Sequence, residues 1–215
     1  MKKKFTIESR RLLAVEGKDE CNFFEALLKH MGIEDIQLAD IGGKDRFKTE
    51  FDLLYQSKGF SDVCALGLIR DAEDKKADAA FKSICSILEK HPPLPVPEAA
   101  NTAINGKNDT GKLIRIGVFI MPNNADQGML EDLCLESLES IEKKPAFPCM
   151  EQYMNCLSKL PENDTPRNPA KAKVQTYLAT RKEIVNSLGL GARKGYWDFE
   201  HDCFNEIKRF LGELL

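Results

Sequence analysis

The stretch Leu12-Leu13-Ala14-Val15-Glu16-Gly17-Lys18-Asp19-Glu20 decides most about the fold. Its apolar residues run without alternation, stop at Glu16-Gly17, and lead into an amphipathic segment with Phe23, Phe24, Leu27, Leu28 and Met31 at helical spacing. A strand over Arg10–Val15 followed by a helix over Asp19–Met31 is the expectation. The stretch VCALGLIRDAED, Val63 to Asp74, repeats the design: an apolar run without alternation, as in a strand covered on both faces, delivers acidic residues at its end. In open α/β sheets ligands collect at the carboxyl ends of the strands. Two strand ends carrying carboxylates therefore place negative charge where a divalent cation could sit.

Outward from these stretches, Ile36–Ile41 reads as a second strand closed by Gly42-Gly43, Lys44–Ser57 as a helix, and Ala77–Leu88 as another. The order β-α-β-α-β-α argues for a mostly parallel sheet with right-handed crossovers. His91–Lys112, with Pro92, Pro93, Pro95 and Pro97, reads as a long loop or irregular hairpin inserted before the buried strand Ile114–Met121. A helix over Met129–Ile141 follows. Beyond Pro145 to Pro148 the pattern is helical at Met150–Leu160, Ala170–Ser187 and Asp198–Leu214. The expected organisation is an α/β domain over residues 1–142, with a loop insertion at 91–112, and a helical region over 143–215 packed on the same domain.

The 215 residues suit one domain with a helical appendage, and 42% hydrophobic against 30% charged residues supports a buried core. No apolar run approaches the roughly 20 residues that span a bilayer, and Glu8, Arg10 and Arg11 interrupt the segment after Lys2-Lys3-Lys4. A signal-peptide core is thereby excluded, and a cytoplasmic protein without membrane association is expected. The seven cysteines include no CxxC pair and the three histidines are scattered, so core packing is the expected role for most of them. The formal net charge is −3, yet Lys159 to Lys194 holds eight basic and three acidic residues, leaving −8 on the rest. A metal site beside a polyanion-binding surface fits that asymmetry, and so do ordinary solvated helix faces.

Gly106-Lys107-Asn108-Asp109-Thr110-Gly111-Lys112 matches the first seven positions of a phosphate-binding GxxxxGK[ST] loop. The eighth position is Leu113, which has no hydroxyl for magnesium, and strand-like residues follow where a helix is needed. A glycine-rich turn is the reading. Gly189-Leu190-Gly191 with Gly195 lacks dinucleotide-fingerprint spacing and reads as a helix terminator. GxSxG and HExxH motifs are absent from the sequence.

The carboxylates remain: Glu16, then Asp71, Glu73 and Asp74, then Glu131 and Asp132. Asp71 and Glu73 are two apart and share a face on an extended segment. Magnesium takes oxygen ligands, and a bound divalent cation relieves the repulsion of crowded carboxylates. Glu131-Asp132 at a helix start serves equally well to complement the helix dipole.

This constellation resembles the TOPRIM domain, the metal-binding module of topoisomerases, DnaG-type primases and OLD-family nucleases. Val15-Glu16-Gly17-Lys18-Asp19 matches its strand ending in Glu-Gly; Asp71-Ala72-Glu73-Asp74 matches its Asp-x-Asp, with glutamate in place of the second aspartate. Met121-Pro122-Asn123-Asn124 through Gly128-Met129-Leu130-Glu131-Asp132-Leu133 is similar to the corresponding region of small bacterial TOPRIM-like proteins related to the OLD group. The resemblance spans roughly residues 8 to 140. It implies a TOPRIM-like, Rossmann-like sheet and Mg2+- or Mn2+-dependent nuclease or phosphodiester-transfer chemistry on nucleic acid, in phage defence or DNA repair. It further implies that Asp71, Glu73, Asp74 and Glu131 hold metal, that Glu16 is the general acid/base or shares in metal binding, and that a C-terminal lysine, Lys171 or Lys173, assists. Lys171, Lys173, Arg167 and Arg181 are then candidates for holding the nucleic-acid backbone. No ATPase module is read ahead of Glu16-Gly17, which implies a stand-alone protein or one working with a separate partner such as an ATPase. Self-association is left open. The competing expectation is a catalytically silent metal-binding or regulatory module that needs a protein partner.

Overall fold

The computed structural model describes residues 5–43, 46–72, 76–123, 127–138 and 146–215. A five-stranded sheet runs in the order β2-β1-β3-β5-β4, built from β1 (Arg11–Val15), β2 (Ile36–Asp40), β3 (Ala65–Asp71), β4 (Thr102–Lys107) and β5 (Leu113–Met121). β2, β1, β3 and β5 are parallel and β4 is antiparallel to β5. The chain leaves β1 toward β2 on one side and returns to place β3 on the other. β1 and β3 therefore flank the topological switch point, where an open α/β sheet forms a crevice beyond its strand ends.

Each face of the sheet is covered, which is why its central strands carry apolar residues at nearly every position. On one face, Leu12, Ala14, Leu66, Leu68, Ile114, Ile116 and Val118 pack with α2 (Phe47–Tyr55) and α3 (Ala77–Leu88). The other face sends Leu13, Val15, Ile69 and Phe119 against α1 (Lys18–His30), α4 (Leu130–Glu136) and the C-terminal helices α6 (Pro169–Ala179), α7 (Leu188–Arg193) and α8 (Asn205–Leu214). The remaining helix, α5 (Ala146–Leu157), is peripheral and buries Met150.

α8 lies directly on the sheet. Its buried Ile207, Phe210, Leu211 and Leu214 follow the i, i+3, i+4, i+7 pattern of an amphipathic helix. Gly67 and Gly117 face one another across β3 and β5 and form the floor beneath it. A Cβ on Gly67 would come within 2.7 Å of Leu214, and one on Gly117 within 2.8 Å of the Phe210 ring. The C-terminal helices thus share the core that holds the strands.

Two expectations change and one narrows. Of the long loop and the irregular hairpin left open for 91–112, the structure has a hairpin, and a regular one: its strand β4 pairs with β5 and turns on the GxxxxGK-like residues. Asn108, buried, organises that turn: its Oδ1 accepts from the backbone of Thr110 and Lys112, and its Nδ2 donates to Ser61 O at 2.9 Å. The helix expected over Ala170–Ser187 ends at Ala179, because the chain caps at Thr180 and Ser187 then caps α7, accepting from Leu190 N–H. The helix expected from Asp198 starts at Asn205, preceded by a 3-10 turn at Asp202–Phe204 in which His201 Nδ1 accepts from Cys203 N–H. The continuation of α4 to Ile141 lies outside the described residues. Among the described residues, no helix is long and apolar enough to cross a membrane.

Candidate functional site

β1 and β3 deliver Glu16 and Asp71 to the carboxyl edge of the sheet, one on each side of the switch point. With Glu20, Arg70 and the apolar Val15, Phe24, Ile69, Met121 and Leu130 they line a small cavity of about 10 Å³. That is the scale of a single water or bare ion. Gly17 ends the strand in extended backbone and starts α1. A Cβ there would lie 2.7 Å from the Glu20 carboxylate, so glycine gives Glu20 room to fold back over the helix start.

Asp71 is the electrostatic centre of the group. Burial drives its carboxyl well above the usual carboxylate range, and the charges of Glu16, Glu131 and Glu20 push in the same direction. A hydrogen bond from Leu130 N–H to Asp71 Oδ1, 3.1 Å, opposes them. Glu20 is raised by burial, against a hydrogen bond to its own backbone, with Asp19 and Glu131 adding to the rise. Glu131 is raised by burial too, countered by Lys171.

α4 separates the two roles open to Glu131-Asp132. Asp132 Oδ2 accepts from Met129 N–H at 2.9 Å and closes the helix start. Glu131, by contrast, joins the acidic group, with Lys171 Nζ 3.7 Å from its Oε1. Lys171 arrives there because Asn168 caps α6, accepting from Lys171 N–H at 2.9 Å, while its Nδ2 donates to Met129 Sδ at the start of α4.

The remaining candidates stand apart from this group. Lys173 points to Glu151, 2.7 Å away, and lies over the Phe147 ring. Arg181 stacks on Tyr196, 4.7 Å from the ring centre, and on Tyr177. Arg167 is exposed just ahead of the α6 cap. Glu73 and Asp74 lie outside the described residues. The structure adds two residues that sequence reasoning missed, Glu20 and Arg70. Arg70 is 6% exposed, with Nε 3.2 Å from Glu16 Oε1 and Nη1 donating to Ser83 Oγ. A charged residue inside an otherwise apolar strand was the available signal, since buried arginines are almost always paired.

The donor set around Asp71 is all oxygen, the chemistry of a hard divalent cation, and its mutual repulsion is what such an ion relieves. Among the described residues, no three His, Cys, Asp or Glu side chains stand close enough together to hold an ion as they are.

The fold and this edge define an α/β protein with an acidic crevice at the switch point of a mostly parallel sheet. The chain belongs to the family described as "Protein of unknown function (DUF3226)", whose model matches residues 10–215. Among solved structures it is similar to the C-terminal region of the Burkholderia pseudomallei OLD protein, at 14% identity and a TM-score of 0.48, covering 97% of this chain and 100% of that one. It is also similar to the C-terminal region of the Xanthomonas campestris pv. campestris OLD protein, at 14% identity and a TM-score of 0.38, covering 95% and 85%. No curated protein matches the sequence.

Proposed function

We propose that this chain is a TOPRIM-type protein that binds Mg2+ or Mn2+ at the carboxyl edge of β1 and β3 and cleaves or transfers phosphodiesters of nucleic acid. The observation that supports the reading is that β1 and β3 place Glu16 and Asp71 on either side of the switch point, where Glu20 lines the same cavity. Asp71 and Glu131 would hold the ion, with Glu73 and Asp74, which follow Asp71 in sequence, and Glu20 as further oxygen donors. When bound, the ion would supply charge stabilisation at the scissile phosphate and a more acidic water.

The chain's own residues supply the rest. Glu16 would exchange a proton with the attacking or departing oxygen. Lys171, on the first turn of α6 beside Glu131, would fix a phosphate where helix dipole and ammonium both favour negative charge. Lys171 is preferred to Lys173 because the latter is occupied by Glu151 on the far side of the helix. Arg167 would extend the basic rim along the backbone.

The test is cleavage of supercoiled plasmid and single-stranded DNA or RNA with Mg2+ or Mn2+, beside Glu16→Gln and Asp71→Asn. Metal-dependent cutting that both substitutions abolish supports the reading. Cutting that survives both would remove it.

A second reading, a metal-binding module that turns over only with a protein partner such as an ATPase, is favoured by the tightness of the cavity, about 10 Å³. It predicts Asp71-dependent metal binding without cleavage until the partner is added.

A further inference from the structure

Gly189-Leu190-Gly191 reads in the sequence as a helix terminator, yet it lies inside α7, where its glycines let the helix nest between α1 and α6. A Cβ on Gly191 would come within 2.9 Å of Leu178 on α6 and 3.3 Å of Trp197 Nε1. A Cβ on Gly189 would lie 2.1 Å from the Asp19 carbonyl oxygen and 2.6 Å from its Oδ1. Backbone meets backbone there, and no side chain fits between them.

The contact is polar as well as close. Ser187 Oγ accepts from Leu190 N–H, and Asp19 Oδ1 accepts from Gly189 N–H at 2.9 Å. The start of α7 is thus capped twice, once by its own residue and once by a residue 170 positions away. A carboxylate accepting from a backbone N–H makes one of the stronger classes of hydrogen bond. α7 is itself firmly seated: Trp197 Nε1 donates to Leu188 O at 2.9 Å, and Leu188 and Ala192 share a buried core with Phe23 and Phe24 of α1.

Asp19 and Glu20 are neighbours on the first turn of α1, about 100° apart around its axis. They face different partners. Glu20 lines the cavity beside Asp71 and folds back over Gly17, while Asp19 turns to α7. Gly17 offers this helix start no side-chain cap, so the orientation of the first turn depends on what holds Asp19. Fixing one side chain of the turn fixes the direction of the other.

We propose that Asp19 is a positioning residue: by engaging the Gly189 amide it locks the first turn of α1 to the C-terminal helices and holds Glu20 at the cavity as a metal donor, without itself touching the ion. The proposal rests on the metal-binding reading above. It gives α7 a task at the acidic edge, and it accounts for a glycine at the one place where a Cβ would meet the Asp19 backbone.

The test is calorimetric titration of the full chain with Mn2+, comparing the unsubstituted protein with Asp19→Asn, Asp19→Ala, Gly189→Ala, Glu20→Gln and the double substitution Asp19→Ala/Glu20→Gln. Asp19→Asn keeps an oxygen for the Gly189 amide and should stay within about threefold of the unsubstituted protein. Asp19→Ala removes that oxygen and should weaken Mn2+ binding roughly tenfold or more, as is usual for groups that orient a metal ligand. Gly189→Ala should weaken it to a similar degree. In the Glu20→Gln background the Asp19→Ala effect should shrink below about threefold, because it runs through that carboxylate. Melting of the metal-free chains shows which substitutions fold; should Gly189→Ala not fold, the Asp19 and Glu20 series decides. Equal weakening by Asn and Ala at position 19 overturns the proposal, since the charge and not the bond would then matter. Unchanged Mn2+ affinity in Asp19→Ala overturns it by making the contact purely structural, and a loss that persists undiminished without Glu20 overturns it as well. Absence of Mn2+ binding by the unsubstituted protein is a separate result: it overturns the metal reading, and the positioning role with it.

Discussion

The two ends of the sheet carry superficially similar sequence, glycine beside charged residues at a strand terminus, and they behave oppositely. At the amino end of β5 the GxxxxGK-like turn is saturated: Asn108 meets Ser61, Thr110 and Lys112, and the Lys112 ammonium is paired with Asp62. At the carboxyl end of β1 and β3, burial raises the Asp71 carboxyl well above the usual carboxylate range, and the charges of Glu16, Glu131 and Glu20 add to the rise. A turn whose polar atoms are consumed by its own neighbours is structure. Like charges gathered in a desolvated crevice are a local conflict that the rest of the fold must overcome, and such conflicts mark functional sites.

The sharpest way to break this contrast is at the acidic end. Glu16→Gln and Asp71→Asn should each lower metal-dependent cleavage by about a hundred- to ten-thousand-fold, measured as initial rates on plasmid. Their effects on stability should have opposite signs. Glu16→Gln leaves Arg70 buried beside a neutral amide and should cost about 3 kcal/mol in metal-free denaturant melts. Asp71→Asn removes a carboxylate that is costly to ionise while keeping an oxygen to accept from Leu130 N–H, and should stabilise the metal-free chain by about 1 kcal/mol near neutral pH. Losses of stability in both would mean that Asp71 is not under electrostatic stress.

At the saturated end the expectation is purely structural. Asn108→Ala strips three acceptor contacts and one donor contact from a buried turn and should cost about 2 kcal/mol, with metal binding unchanged. Weakened nucleotide or metal binding in that variant would erase the distinction between the ends.

The same contrast explains what was legible in the chain. The strand ends at Glu16 and Asp71 were visible because unalternating apolar runs stop there, and the α8 stripe of Ile207, Phe210, Leu211 and Leu214 was visible as periodicity. β4 was obscured because an edge strand with Asn105-Gly106 carries little apolar pattern. Glu20 was hidden because an acidic first turn is equally expected from the helix dipole; only its position over Gly17 turns it into the crevice. Lys171 and Lys173 could not be ranked locally. Two residues apart on a helix, they point about 200° from one another, and the packing of α6 on α4 decides which meets Glu131. Arg70 found its partner through the β1–β3 register, a tertiary fact.

The smallest predicted effect is the most specific to the crevice, because it depends on sign. The folded-state pKa of Asp71 is raised, as are those of Glu20 and Glu131. Over the interval between their unfolded and folded values the native state binds more protons than the unfolded one, so stability falls as pH rises. The stabilisation is fully present below the ordinary carboxylate pKa and is lost as pH climbs through the raised values. Metal-free chain should therefore melt at progressively lower temperature from about pH 4 upward through the carboxylate range, and Asp71→Asn should flatten that slope. Saturating Mn2+ should flatten it too, since an ion that binds the ionised carboxylates favours the form that burial opposes. Asn108→Ala should leave the slope unchanged while lowering the whole curve, which ties the pH response to the acidic end of the sheet and not to stability in general.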